Sequence, residues 1–279
     1  MKPPYEISSK SMQLIVVISE KIGVLGAYHL IQQSPKLRKE NRIKTIQASL
    51  QIEGNTLTVD QVSAVMEKKR VLGPKKDVTE VLNALKVYQQ LNSFKAANQT
   101  DFLKAHSLLL HGLIEKPGQY RKKGVAIVKG DKLEHMAPGP TMVPGLMRDL
   151  FGYLKTTDEI ALVKSCVFHY ELEFIHPFID GNGRMGRLWQ SLILMSEYPV
   201  FEYIPVETMI AQTSTEKLNQ RMDELAKVVY QNPVAVKSEL MGIVMNRSGI
   251  PDSTMGEVFL NWSIALGMTN QLDSGIWAA

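Results

Sequence analysis

Twelve consecutive residues, His176-Pro177-Phe178-Ile179-Asp180-Gly181-Asn182-Gly183-Arg184-Met185-Gly186-Arg187, bring together an imidazole, a carboxylate, a glycine-rich turn and two guanidinium groups. Each type suits nucleotide chemistry. Histidine is the side chain that titrates near neutral pH, so His176, just ahead of the turn, is a candidate general base. Gly181 and Gly183 let the backbone turn sharply and approach a ligand with no Cβ in the way. The residues from Arg184 to Met195 read as a helix. A turn that opens a helix aims backbone N–H groups outward, and the helix dipole favours an anion there. Arg184 and Arg187, three apart, share a helical face, and their planar forks match phosphate oxygens. Asp180 would repel a bare phosphate, but it fits a site in which Mg²⁺ bridges it to phosphates. The bland alternative is a loop, a helix cap and two solvated arginines. It usually wins for a lone Gly-x-Gly, but here the chemistry of the whole segment is coherent.

The segment resembles the Fic family motif His-x-Phe-x-Asp-Gly-Asn-Gly-Arg-x-x-Arg at every fixed position, and a looser likeness runs from about Pro3 to about Glu207. The resemblance implies an all-α fold: a Fic-type helical bundle with a small β-hairpin flap, plus C-terminal helices. It also implies transfer of AMP from ATP to a hydroxyl side chain of a protein. Carried onto this chain, His176 deprotonates the target hydroxyl, and Phe178 packs into the core and holds the loop. Asp180 binds Mg²⁺. Gly181, Asn182 and Gly183 form the anion hole, and Arg184 and Arg187 hold the outer phosphates. The implied organisation is N-terminal helices over 1–95, a catalytic core over 96–207 and a C-terminal helical region of uncertain role over 208–279.

A second segment, Ser49-Leu50-Gln51-Ile52-Glu53-Gly54-Asn55, carries its own signal. Ser49 and Glu53 are four apart and share a helix face. Glu53 falls in the last turn, where a carboxylate opposes the helix dipole at a cost of roughly 0.3–1 kcal/mol if exposed. Alone it reads as a misplaced surface glutamate, and a cationic partner would change that balance. The segment is similar to the family's inhibitory Ser/Thr-x-x-x-Glu-Gly-Asn motif, here placed ahead of the catalytic core. By that resemblance Glu53 pairs with Arg187, takes the space of the γ-phosphate and leaves ATP bound out of line. Three functions follow: a self-inhibited protein adenylyltransferase, an enzyme removing AMP with Glu53 positioning water, or a nucleotide-binding regulator without catalysis. The intact His176 and Asp180 argue against the last.

The elements that must position these residues read mostly as helices: Leu14–Leu30, Asn41–Glu53, Thr58–Lys69, Asp77–Leu91, Asp101–Leu113, Pro144–Lys155 and Glu159–Ile175. Gly54-Asn55 is a C-cap, Thr58 with Gln61 a capping box, and Asp77 with Glu80 a helix start. The stretch Glu159–Ile175 is apolar on nearly all sides. It should be the buried central helix that delivers His176. Gly124 to His135 is the one strand-like stretch, with Gly130-Asp131 as a hairpin turn. In the family this position is a flap whose edge pairs with the target, which places the target protein at 121–135. Thr215–Tyr230, Val234–Met245 and Met255–Met268 are further candidate helices. Many relatives carry a tyrosine near adenine on the helix after the motif helix. None stands around Leu218-Asn219, which leaves the nucleobase open.

The 279 residues allow one large domain or one with a small appendage, and 44% hydrophobic with 22% charged residues is ordinary globular composition. A net charge of +4 gives nucleic-acid binding no support. The single Cys166, in an apolar helical stretch, reads as a buried structural thiol and suits a reducing compartment. His106, His111 and His169 read as structural and His135 as a loop residue. No stretch of eighteen apolar residues and no convincing signal peptide are present, so the expectation is a cytoplasmic protein without a membrane span. A homodimer stays open.

Overall fold

Helical periodicity governs nearly all of the structure, a computed structural model that describes residues 3–31, 35–129, 132–204 and 207–208. In chain order the elements are α1 (Ser9–Ile31), α2 (Pro35–Ile52), α3 (Val59–Met66), α4 (Lys75–Gln89), α5 (Gln99–Leu109), β1 (Ala126–Lys129), β2 (Lys132–Met136), α6 (Val143–Thr156), α7 (Ala161–Ile175) and α8 (Asn182–Glu197). The class is all-α, as the sequence predicts. The exception is an antiparallel ribbon of β1 on β2, registered from Ala126 opposite Met136 to Lys129 opposite Lys132 with an irregularity between Ile127 and Val128. The Gly130-Asp131 turn and the candidate helices Thr215–Tyr230, Val234–Met245 and Met255–Met268 lie outside the described residues. Among the described residues no helix is long and apolar enough to cross a membrane.

Local signals set most boundaries. Gly54, at φ +89°, terminates the turn after α2. Thr58 and Gln61 form the expected reciprocal cap of α3: Gln61 N–H donates to Thr58 Oγ1 at 3.3 Å, and Thr58 N–H donates to Gln61 Oε1 at 2.9 Å. One boundary signal has a different meaning from the one read in the sequence. The fourth helix starts at Lys75 behind Pro74, with no side-chain cap. Asp77 and Glu80 are buried instead, and distant partners take their carboxylates. Asp77 accepts from the backbone N–H and the hydroxyl of Thr56, each at 2.7 Å, and Glu80 reaches the motif helix.

Helix α7 is the central element. It buries residues on all sides, from Ala161 to Ile175, and packs chiefly on α8. Its first turn is capped from the far end of that partner, because Ala161 N–H donates to Glu197 Oε2 at 2.8 Å. Cys166 is buried, and burial pushes its thiol well above its ordinary range. Three helices and the motif loop converge on Phe102 of α5, which has no exposed surface. Its ring lies 5.0 Å from Trp189, 5.4 Å from Phe151, 5.5 Å from Phe178 and 6.1 Å from Phe168. These edge-on and stacked contacts join α5, α6, α7, α8 and the loop before α8 in one aromatic node.

Because the node has no slack, Phe102→Ala should cost about 3–5 kcal/mol through lost transfer energy and the cavity left behind. Urea unfolding with an unchanged m-value would read this as a lower midpoint. A loss under about 1 kcal/mol would mean that the node does not hold these elements together.

Candidate active site

The candidate base stands at a strained joint. His176 is the C-cap of α7 with φ 47° and ψ 60°, the left-handed region that a non-glycine residue enters at a cost of roughly 1–2 kcal/mol. Backbone and side-chain bonds hold it there. His176 N–H donates to Leu172 O at 2.9 Å, Arg121 Nε donates to His176 O at 2.7 Å, and Arg121 N–H donates to Pro177 O at 2.9 Å.

The loop that follows is fixed at both ends. Phe178 is fully buried, with the His106 ring stacked on it at 3.6 Å and 10°. Asn182 closes the loop on itself: Phe178 N–H donates to its Oδ1 at 2.9 Å and its Nδ2 donates to Phe178 O at 3.0 Å. The Asn182 side chain is thus committed to shape, and only its backbone is left for an anion. Gly181 is left-handed at φ +87°, and a Cβ there would lie 2.6 Å from Leu110 Cδ2. As N-cap of α8 it provides no side-chain cap, so the first-turn N–H groups lack one.

His106 braces this loop, which sequence reading did not find. Its Nδ1 accepts from Gly118 N–H at 2.7 Å, so the proton belongs on Nε2, which lies 3.0 Å from Asp180 O and donates to it. Burial pulls its pKa down to about 4, a shift that the bond to the Asp180 carbonyl only partly opposes. A histidine on an otherwise apolar helix face was the only sequence signal.

The two motif arginines share a helix but serve different partners. Arg184 donates to Asp180 Oδ1 at 2.7 Å and to Glu80 Oε1 at 3.0 Å. The Arg184 and Glu80 side chains are each 5% exposed. Asn55 Nδ2 in turn donates to Glu80 Oε2 at 2.8 Å. Arg187 points to α2: its Nε donates to Ser49 Oγ at 3.1 Å, and its Nη2 donates to Ser49 O at 3.0 Å and to Glu53 Oε1 at 2.7 Å. Glu53 Oε1 also covers the cradle, only 2.6 Å from where a Cβ on Gly183 would lie. Sequence reading missed Glu80 as a site residue. Its signal was register: with Asp77, Ala84 and Val87 it lies on the buried stripe of α4, where a carboxylate needs a cation.

A second carboxyl lies behind Arg187. Glu173 of α7 is largely buried, and a Cβ on Gly186 would come within 2.7 Å of its Oε1 and 2.9 Å of His169 Nε2. Burial raises its pKa to about 7, with Glu53 adding to the rise and Arg187 opposing it. His169 Nδ1 bonds Gln190 Oε1 at 2.7 Å, and burial pulls its pKa down to about 4. It is a satisfied core histidine, as the sequence suggests.

Three comparisons bear on this site. The Fic/DOC family model matches residues 96–194. A protein adenylyltransferase Fic of Culex quinquefasciatus is 30% identical over 196 residues, covering 65% of this chain and 38% of that protein. A probable protein adenylyltransferase of Aquifex aeolicus is 32% identical over 164 residues, covering 57% of this chain and 48% of that one. The chain thus spans about two fifths to a half of the length of these curated relatives. The crystal structure of a Fic family protein from Desulfovibrio desulfuricans G20 superposes with a TM-score of 0.74 at 39% identity, covering 100% of this chain and 78% of that one. A Fic-1 fragment from C. elegans, 17% identical with a TM-score of 0.60 over 96% of this chain and 74% of its own, shares the fold.

Two predictions follow from the charges. Glu80→Ala removes the buried carboxylate partner of Arg184 and one acceptor of Asn55 and should destabilise by about 3–5 kcal/mol in urea unfolding, against under about 0.5 kcal/mol for an exposed control such as Glu115→Ala. Equal losses would show that the Glu80–Arg184 pair is not an anchor. His106 should stay neutral with its proton on Nε2. Its folded pKa is depressed, so the stability it contributes is present above about pH 6.5 and is lost as pH falls toward 4. Imidazole ¹⁵N spectra check this directly, and a ring that titrates near pH 6.5 would contradict the brace.

Proposed function

This chain belongs to the Fic family, and we propose that it is a self-inhibited protein adenylyltransferase. The observation that carries the reading is the placement of Glu53, which pairs with Arg187 at 2.7 Å and covers Gly183 of the cradle. A carboxylate occupies the anion's place and its cation together. In the active arrangement Glu53 withdraws, and Arg187 and the first-turn N–H groups of α8 meet the outer phosphates of ATP.

His176 then takes the proton of a Tyr, Thr or Ser hydroxyl on the target. The hydroxyl oxygen bonds to the α-phosphorus, the bond from that phosphorus to the bridging oxygen breaks, and pyrophosphate leaves. Charge developing on the leaving group is met by donors already in position. Arg184 already donates to Glu80 and Asp180 through its two terminal nitrogens, so it first orients Asp180. The Asp180 side chain is 44% exposed with Oδ1 anchored, a carboxylate that would hold a hard cation. Mg²⁺ bound there would neutralise phosphate charge. The target segment would add to the edge of the β1–β2 ribbon, with main-chain pairing making little demand on sequence. The reading places this chemistry in residues 96–207, its control in 49–55 and the protein in the cytoplasm.

The test is labelling with ATP radioactive at the α or the γ position, using wild type, Glu53→Gly and Glu53→Gly with His176→Ala. Glu53→Gly should raise protein labelling at least about tenfold, a change that needs only about 1.4 kcal/mol. Only α-label should appear, and His176→Ala should remove it by about 10²–10⁴-fold. Label from the γ position would make the enzyme a kinase. Release of AMP from a modified target by wild type, without any gain in Glu53→Gly, would assign the removal reaction.

A further inference from the structure

Arg121 lies outside both motifs and is 3% exposed. Among the described residues no carboxylate forms an ion pair with it. Its guanidinium donates to four backbone carbonyls instead: Nε to His176 O at 2.7 Å, Nη2 to Ile175 O at 3.2 Å and to Pro138 O at 2.6 Å, and Nη1 to Lys123 O at 2.9 Å.

The four acceptors fall into two pairs. Ile175 and His176 end α7, where carbonyls lack intrahelical partners and the dipole is negative. That end accounts for a buried cation without a carboxylate. Lys123 and Pro138 are the two roots of the hairpin, just before β1 begins at Ala126 and just after β2 ends at Met136. One planar group therefore fastens both roots of the ribbon to the carbonyl of the base. Its own backbone N–H, donating to Pro177 O at 2.9 Å, adds a fifth tie to the same joint.

We propose that Arg121 is a positioning residue for AMP transfer, setting His176 and the target-binding ribbon in one fixed relative geometry. Its catalytic part rests on the adenylyltransferase reading above. The geometry explains why an arginine stands here. Its five N–H donors form a rigid fork, whereas a lysine supplies three donors from one point and cannot span both pairs. His176 is left-handed, so releasing its carbonyl frees the strained joint that aims the imidazole. A displacement of about 1 Å at a reacting group costs on the order of 10²-fold in rate.

The test places Arg121→Lys and Arg121→Ala in the Glu53→Gly background, with thermal melts and ATP binding measured beside transfer. Arg121→Lys should lower kcat about 10²-fold while the Kd for ATP stays within about twofold, because the cradle and Arg187 are untouched. Methylguanidine should restore part of the rate to Arg121→Ala but add nothing to the parent. His176 ring resonances should shift in both variants while those of His106 stay in place. Full kcat in Arg121→Lys with unmoved His176 resonances would overturn the proposal. So would loss of the cooperative melt in both variants, which would make Arg121 a folding element only. If Glu53→Gly itself transfers nothing, the functional reading fails, and the His176 resonances still decide whether Arg121 aims the base.

Discussion

The site depends on how the chain passes from α7 to α8. These two helices pack on each other, and the connection between them must carry the base at one end and the anion cradle at the other. It enters through His176 at φ 47° and leaves through Gly181 at φ +87°. Two left-handed residues around a short loop would not hold in isolation. Three buried side chains over-determine it. Phe178 plugs into the aromatic node, Asn182 ties the loop to itself, and His106 accepts from Gly118 while donating to Asp180 O. Arg121 fixes the first joint from outside. The candidate catalytic groups are thus borne on elements whose own conformations are locked by packing, which precise positioning requires.

The charges divide into a permanent set and an exchangeable one. Arg184 and Glu80 are each 5% exposed, so separating them would leave an uncompensated buried charge. Arg187 is 9% exposed, but Glu53 is 28% exposed and lies at the end of α2, next to the left-handed Gly54. Water can take over the Glu53 carboxylate at far smaller cost. The pair therefore combines a buried cation with a more exposed anion, while Arg184 holds Asp180. Asn55 belongs to both sets, since it follows Glu53 by two residues and hydrogen-bonds Glu80. The removable carboxylate is in this way tethered beside an immovable one.

What the sequence reveals is what is contiguous. The base, Asp180, the cradle and the arginines could be read because they share twelve residues, and the helices could be read because burial imposes a 3.6-residue period and the caps are local. Glu53 as the partner of Arg187 came from a motif, since periodicity gave only a carboxylate at an unfavourable helix end. The rest was closed to one-dimensional reading for one reason: its partners are far apart in the chain. Asp77 and Glu80 looked like a helix start because acidic residues favour a first turn, yet both are consumed by tertiary contacts. His106 and Arg121 look ordinary until folding brings Asp180, Gly118 and the end of α7 to them. A buried cation that bonds only carbonyls leaves no acidic partner to search for.

Glu173 bears on how Arg187 can change partners at all. If that carboxyl were ionised, Arg187 would face two anions. Burial raises its pKa to about 7, with Arg187 opposing and Glu53 assisting, so the neutral form gains weight as pH falls below that value and Arg187 then balances one carboxylate. Withdrawal of Glu53 would remove part of what raises the pKa, and another anion in its place would restore it, since either disfavours ionisation. The burial that favours the neutral carboxyl of Glu173 therefore also limits the negative charge around Arg187.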